Sequence, residues 1–213
     1  MEQDIFYKGY KIKIRQDEDC ESPNDWEDET LFLVYDHRQF TVKRDGFEPR
    51  DVYNYLEDCH EQVENNTYDK YWIFPVEAYI HSGVSLSLFS GTKQCRWDSS
   101  VSGYILASKE EFKDLETAKT ATEGLIKTWN QYLSGEIYGF IIEKPNTIYS
   151  ISKEEFDTLC ITGTFSSEAF LQVAEEDTDW EEKDSCWGYY GEPEKSGLLD
   201  EARMTIDDLV GDV

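Results

Sequence analysis

Any fold this chain adopts must carry 26 excess negative charges, because 46 Asp and Glu stand against 20 Lys and Arg in 213 residues. That excess costs stability through self-repulsion, which an ordinary soluble enzyme has no reason to accept. The chain is nevertheless no disordered acidic tail. It is 39% hydrophobic, with 14 Tyr, 11 Phe and 6 Trp, enough apolar material to bury a core. A folded, aromatic-rich and strongly acidic protein points to a partner with a basic surface, first among them the phosphate-binding grooves of nucleic-acid enzymes. The same charge argues against docking on nucleic acid itself or on anionic lipid.

No apolar run approaches the roughly 20 residues that span a bilayer. The start, Met1 to Asp4, has neither the basic region nor the apolar stretch of a signal peptide, so a cytosolic protein is expected. Five cysteines, odd in number and widely spaced, speak against a disulfide framework in that setting.

Hydrophobic periodicity predicts a strand pair over residues 5–14, turning at Lys8 and Gly9, then strands at 31–35 and 39–42. Pro49 opens a helix whose Val52, Tyr55, Leu56, Cys59 and Val63 share a face. Residues 71–90 read as two strands broken at Gly83, and 102–107 as another. Ser108 and Glu111 form a capping-box pattern that predicts a helix running to about Leu133, with Leu115, Ala118, Leu125, Trp129 and Leu133 inward and Gly135 as its cap. A hairpin is expected over 136–151, turning at residues 144–146. A second box at Ser152 and Glu155 starts a shorter helix, and a last helix covers about 197–210. The order implies an α+β fold, a mostly antiparallel sheet with two to four flanking helices. With no linker visible, residues 1–213 read as a single compact domain, with the acidic segments 17–29 and 175–182 as loops.

The familiar catalytic signatures are absent: no phosphate-cradling glycine loop, no His-Glu-x-x-His and no Gly-x-Ser-x-Gly. No catalytic residue is assigned and the expected protein is not an enzyme. His81, Cys95, Asp98 and Cys186 are donors of the kind zinc prefers, and four of them would close a structural tetrahedral site, with Asp184 as an alternative donor. The competing reading makes Cys95 and Cys186 buried thiols and His81 a hydrogen-bonded core histidine, and the absence of any CxxC pair favours it. Cys59 and His60 are helical neighbours about a hundred degrees apart, which suits core better than metal. A Cys186/His81 nucleophile pair needs a closeness that spacing does not supply.

The acidic runs have two readings as well. Asp17, Glu18, Asp19, Glu21, Asp25, Glu27, Asp28 and Glu29 form the first; Glu175, Glu176, Asp177 and Asp179 begin the second. Charge runs are most often solvated faces. Their aromatic neighbours Trp26, Trp180 and Trp187 add a second reading, a surface for Arg- and Lys-rich partners through ion pairs and cation–π contacts, although these tryptophans are equally compatible with core positions.

Several blocks are familiar together: Glu21-Ser22-Pro23 with Trp26, His81-Ser82-Gly83, Cys95 with Trp97-Asp98-Ser99, Gly103 with Ile105, Trp129 through Phe140, and Asp184 through Gly191. They span residues 21–191 and resemble a widespread family of small acidic bacteriophage and prophage proteins. Proteins of this style also resemble anti-CRISPR proteins of streptococcal phages directed against type II effector nucleases, a class that includes a zinc metalloprotein. The sequence departs from the family pattern at Ser100, where Gly commonly follows Trp-Asp-Ser. The resemblance implies structural zinc on His81, Cys95, Asp98 and Cys186. It also implies a monomer in the cytoplasm of the infected host that binds the effector and blocks target-DNA loading. The alternatives are a zinc-dependent hydrolase and an acidic DNA mimic acting on a restriction system.

Overall fold

The structure, a computed structural model, describes residues 2–26, 28–37, 40–57, 67–80, 83–90, 99–163 and 166–211. Among these the fold is α+β, with two antiparallel sheets and five α-helices. The chain divides into two compact units: residues 1–16, 138–189 and 193–213 form one, residues 17–137 and 190–192 the other. The chain passes between the units four times: at the end of one strand, inside two others, and between Glu192 and Pro193.

The first unit is built on the sheet order β1-β2-β8-β9, in which β1 is Gln3–Tyr7, β2 Tyr10–Gln16, β8 Ile137–Ser150 and β9 Glu175–Tyr190. Lys8 and Gly9 both have positive φ (47° and 82°), as a two-residue hairpin turn matching the strand twist requires. Period-two alternation sends Tyr10, Ile12 and Ile14 to one face, and the register sets Ile12 beside Ile142 and Ile14 beside Phe140. That face packs on α5 (Leu198–Gly211) through Leu198, Ala202 and Ile206, spaced four apart on one helical stripe.

On β2 and β8, the residues between these core positions form a charged cluster. Glu143 is only 8% exposed and is held by Lys11 at 2.8 Å and Lys13 at 2.6 Å. Burial pushes its carboxyl upward, but the two ammonium groups, Lys11 in an ion pair and Lys13 donating a hydrogen bond, outweigh this and hold it below the ordinary glutamate range. Trp180 of β9 covers Lys11, its ring centroid 3.8 Å from Nζ.

Two expectations fail in this unit. The hairpin expected over 136–151 is instead one continuous strand, β8. Past its last β2 partner, Lys11, that edge of β8 has no strand partner among the described residues, and there a proline such as Pro145 is tolerated. The segment 175–182, expected as a loop, is the first half of β9. It is exposed except at Trp180, so the carboxylates stay in water while the backbone pairs with its neighbour strand. Between β8 and β9 lie α3 (Lys153–Thr162) and α4 (Ser167–Val173), the latter without a counterpart in the sequence reading. The Ser152 capping box is complete, with both reciprocal bonds formed.

The second unit is the sheet β4-β3-β7-β5-β6, with β3 Leu31–His37, β4 Phe40–Val42, β5 Tyr71–Ile80, β6 Val84–Leu88 and β7 Ser99–Ser108. Both faces are covered, which explains the unbroken apolar run in β3. Leu33 and Tyr35 join a core with Ile126 and Trp129 of α2 (Leu115–Ser134), while Phe32 and Val34 join Val52 of α1 (Pro49–Glu57) and Tyr68. Asn130 of α2 accepts from the Leu86 amide (2.7 Å) and donates to the Leu86 carbonyl (2.9 Å), satisfying part of the edge of β6. Ser108 does not start α2. It is the last residue of β7, its amide bonded to the Thr30 carbonyl, and the helix begins six residues later with Asp114 accepting from the Thr117 amide. Leu115, expected inward, is 55% exposed, whereas Ala118 and Trp129 are buried. Gly135 caps the helix at φ 71° as expected.

Candidate partner-binding surface

The first acidic run is a loop whose shape is fixed mainly by its own backbone and by a few carboxylates. Asp28 accepts from the Thr30 amide (2.7 Å) and hydroxyl (2.6 Å), and Asp17 from the Asp19 amide. Arg44 donates to the Asp28 carbonyl at 2.7 Å and stacks on Phe32, 5.0 Å from the ring centroid. Tyr190 donates to the Glu21 carbonyl at 2.9 Å and meets the Trp26 ring edge-on at 5.5 Å. Burial drives the Tyr190 phenol up to about 12, with nearby charges including Asp17 and Glu21 adding to the shift. Glu18, Asp19, Glu21, Asp25, Asp28 and Glu29 are exposed and Asp17 half-buried, while Glu27 lies outside the described residues.

A cavity of about 210 Å³ opens beside this loop, lined by Pro23, Trp26, Leu31, Phe32, Leu125 and Trp129, with Arg44 in its wall. Nothing in the sequence pattern marks Arg44 out from other surface bases, so neither the cavity nor the role of this residue was legible there.

The second run is positioned differently. Alternate residues of a strand share a face about 6.7 Å apart. Glu175, Asp177, Asp179 and Glu181 therefore form a row along one side of β9, with Glu176, Glu182 and Asp184 on the other. Asp177 and Asp179 each accept from the following amide, at 2.8 and 3.0 Å, and Glu181 pairs with Lys183 at 2.6 Å. Glu175 and Glu176 are exposed and make no ion pair among the described residues. Of the three tryptophans, Trp180 is spent on Lys11, Trp26 on Tyr190, and Trp187 lies over Gly139 while staying 45% exposed.

His81, Cys95 and Asp98, three of the four expected zinc donors, lie outside the described residues, as do Cys59 and His60. Cys186 is half-buried on β9 and packs against the apolar cluster of the first unit, the surrounding of a small core hydrophobe. Its neighbour Tyr189 has a phenol pushed far up, first by burial and then by Cys186 and Glu201. Asp184 is exposed and accepts from the Ser185 amide. Among the described residues, no three His, Cys, Asp or Glu are grouped so as to hold a metal ion. Cys20 is half-buried, its thiol raised by burial and then by Asp17, which disfavours the thiolate a metal or a nucleophilic reaction needs. No helix among the described residues is long and apolar enough to cross a membrane.

Comparison with protein families, curated proteins and solved structures gives no match to this chain.

Proposed function

We propose that the protein acts by binding a basic macromolecular surface, and that its target is a type II RNA-guided effector nuclease whose loading with target DNA it blocks. The observation that carries this reading is the exposed acidic strand β9, a row of carboxylates held on a paired backbone. The family resemblance supplies the identity of the target. Such a nuclease holds its heteroduplex in a positively charged channel, and a folded polyanion seated on that channel competes with DNA by charge and bulk. No bond-making step is involved. Zinc enters this reading only through the resemblance, as a structural ion on His81, Cys95, Asp98 and Cys186, and metal analysis of the purified protein tests it separately.

The row spacing of β9 also favours a second reading, mimicry of a nucleic-acid strand toward a restriction enzyme, because regularly spaced carboxylates on one face are what mimicry needs.

The deciding experiment is target-DNA cleavage by a guide-loaded streptococcal type II effector with the protein added in molar excess before or after the DNA. Inhibition on prior addition that disappears when DNA is loaded first is expected. Affinity for the effector should also fall steeply with salt. Undiminished cleavage by effectors from several hosts would overturn the proposed target and leave the restriction reading to be tested.

A further inference from the structure

The segment between β8 and β9 exposes apolar side chains that its own packing does not use. Helix α3 has one buried residue, Leu159, and α4 has none among those described. Ile148 and Tyr149 at the end of β8 are 42% and 46% exposed, Ile161 of α3 is 85% exposed, and Leu171 of α4 is 54% exposed. Helices of ten and seven residues are too short to persist in water on propensity alone. Their ends are closed by the Ser152 capping box, by Gly163 at φ 66° as C-cap and by Ser166 accepting from the Ala169 amide, and Leu159 is the buried contact of α3. The segment thus presents capped helices with large apolar groups facing water, the pattern of a docking surface rather than of a core.

Charge decides what can cover it. Residues 144–184 hold eleven acids, Glu154, Glu155, Asp157, Glu168 and seven on β9, against Lys144, Lys153 and Lys183. A second copy of this chain would bring like charges together around the apolar contact, whereas a basic partner would neutralise them. We propose that α3, α4 and the adjoining ends of β8 and β9 form the docking surface for the basic protein partner. Ile161 and Leu171 serve as apolar anchors within an acidic surround. This rests on the binding reading above and assigns the part of the molecule that makes the contact.

The test compares the wild-type chain with the double variant Ile161→Lys and Leu171→Lys, and with Met204→Lys as a control at another exposed apolar site, 66% exposed on α5. Each is measured for binding to the guide-loaded effector, for circular dichroism and melting, and for mass in solution. Both anchors are exposed, so the fold should survive. The expected result is a loss of affinity of about 30-fold or more in the double variant, the size of an interface hot spot, with melting unchanged and the control unaffected. Wild-type affinity in the correctly folded double variant would overturn the docking surface and leave the binding reading intact. A wild-type protein that fails to bind the effector would remove the reading and this surface with it. A wild-type dimer that the double variant dissociates would overturn the basic partner in favour of self-association.

Discussion

Glu143 illustrates how a single side chain can reverse the chemistry of its surroundings. It is a carboxylate almost out of water, between two lysines, in a chain where acids outnumber bases more than twofold. Replacing it with glutamine removes the counter-charge of Lys11 and Lys13 and should destabilise the protein by about 3 kcal/mol, the scale for breaking a buried pair. Its folded carboxyl lies below the ordinary value of 4.5, so its contribution is complete above that pH and is lost as the pH falls through the folded value. The wild-type advantage over Glu143→Gln in urea titrations should therefore be constant near neutrality and shrink below about pH 4.5; an advantage that persists unchanged to pH 2 would refute the ion-pair account. Sequence alone offered no sign of this cluster, because Glu143 and Lys13 lie 130 residues apart.

At the level of elements, the close approach of β8 and β9 depends on Gly139. A Cβ there would lie 2.8 Å from the Cys186 carbonyl oxygen and against the Trp187 ring. Gly139→Ala should separate the strands or displace the ring and cost about 1–3 kcal/mol, read as a lower denaturant midpoint with an unchanged slope; a midpoint equal to wild type would mean that Trp187 moves aside freely. Elements with a clean period were legible in the sequence: the β1–β2 hairpin, β5 and β6 broken at Gly83, α2 with its Gly135 cap, and α5. Two strands were misread where neither face is buried. In β8 beyond Glu143 and in β9 before Cys186 most positions on both faces meet water, so no apolar alternation records the strand; in β8 the Lys144-Pro145-Asn146 sequence reads as a turn, and in β9 the density of acids reads as a loop. The two capping boxes are alike in sequence, yet only Ser152 is free to start a helix, since Ser108 is committed to β7. The acids of the candidate surface were likewise legible as residues, but their division between a backbone-bonded loop and an exposed strand was not.

For the molecule as a whole, 26 uncompensated charges make stability a function of ionic strength. Raising salt from about 0.01 to about 0.15 M shortens the Debye length from about 30 to about 8 Å. The melting temperature should rise, by about 2–4 °C for each kcal/mol of repulsion relieved. A fall would mean that ion pairs such as Lys8–Asp207 matter more than the net charge. The division of the chain carries one more consequence, for synthesis. Strand β2 needs β8, and β8 leaves the ribosome more than a hundred residues later. Nearly all of the second unit is made in that interval, from Asp17 to Ile137, with its sheet complete and only Tyr190–Glu192 still to come. During translation the first hairpin, with Ile12 and Ile14 uncovered, must therefore wait as a nascent apolar ribbon while the second unit folds ahead of the unit that contains the N-terminus.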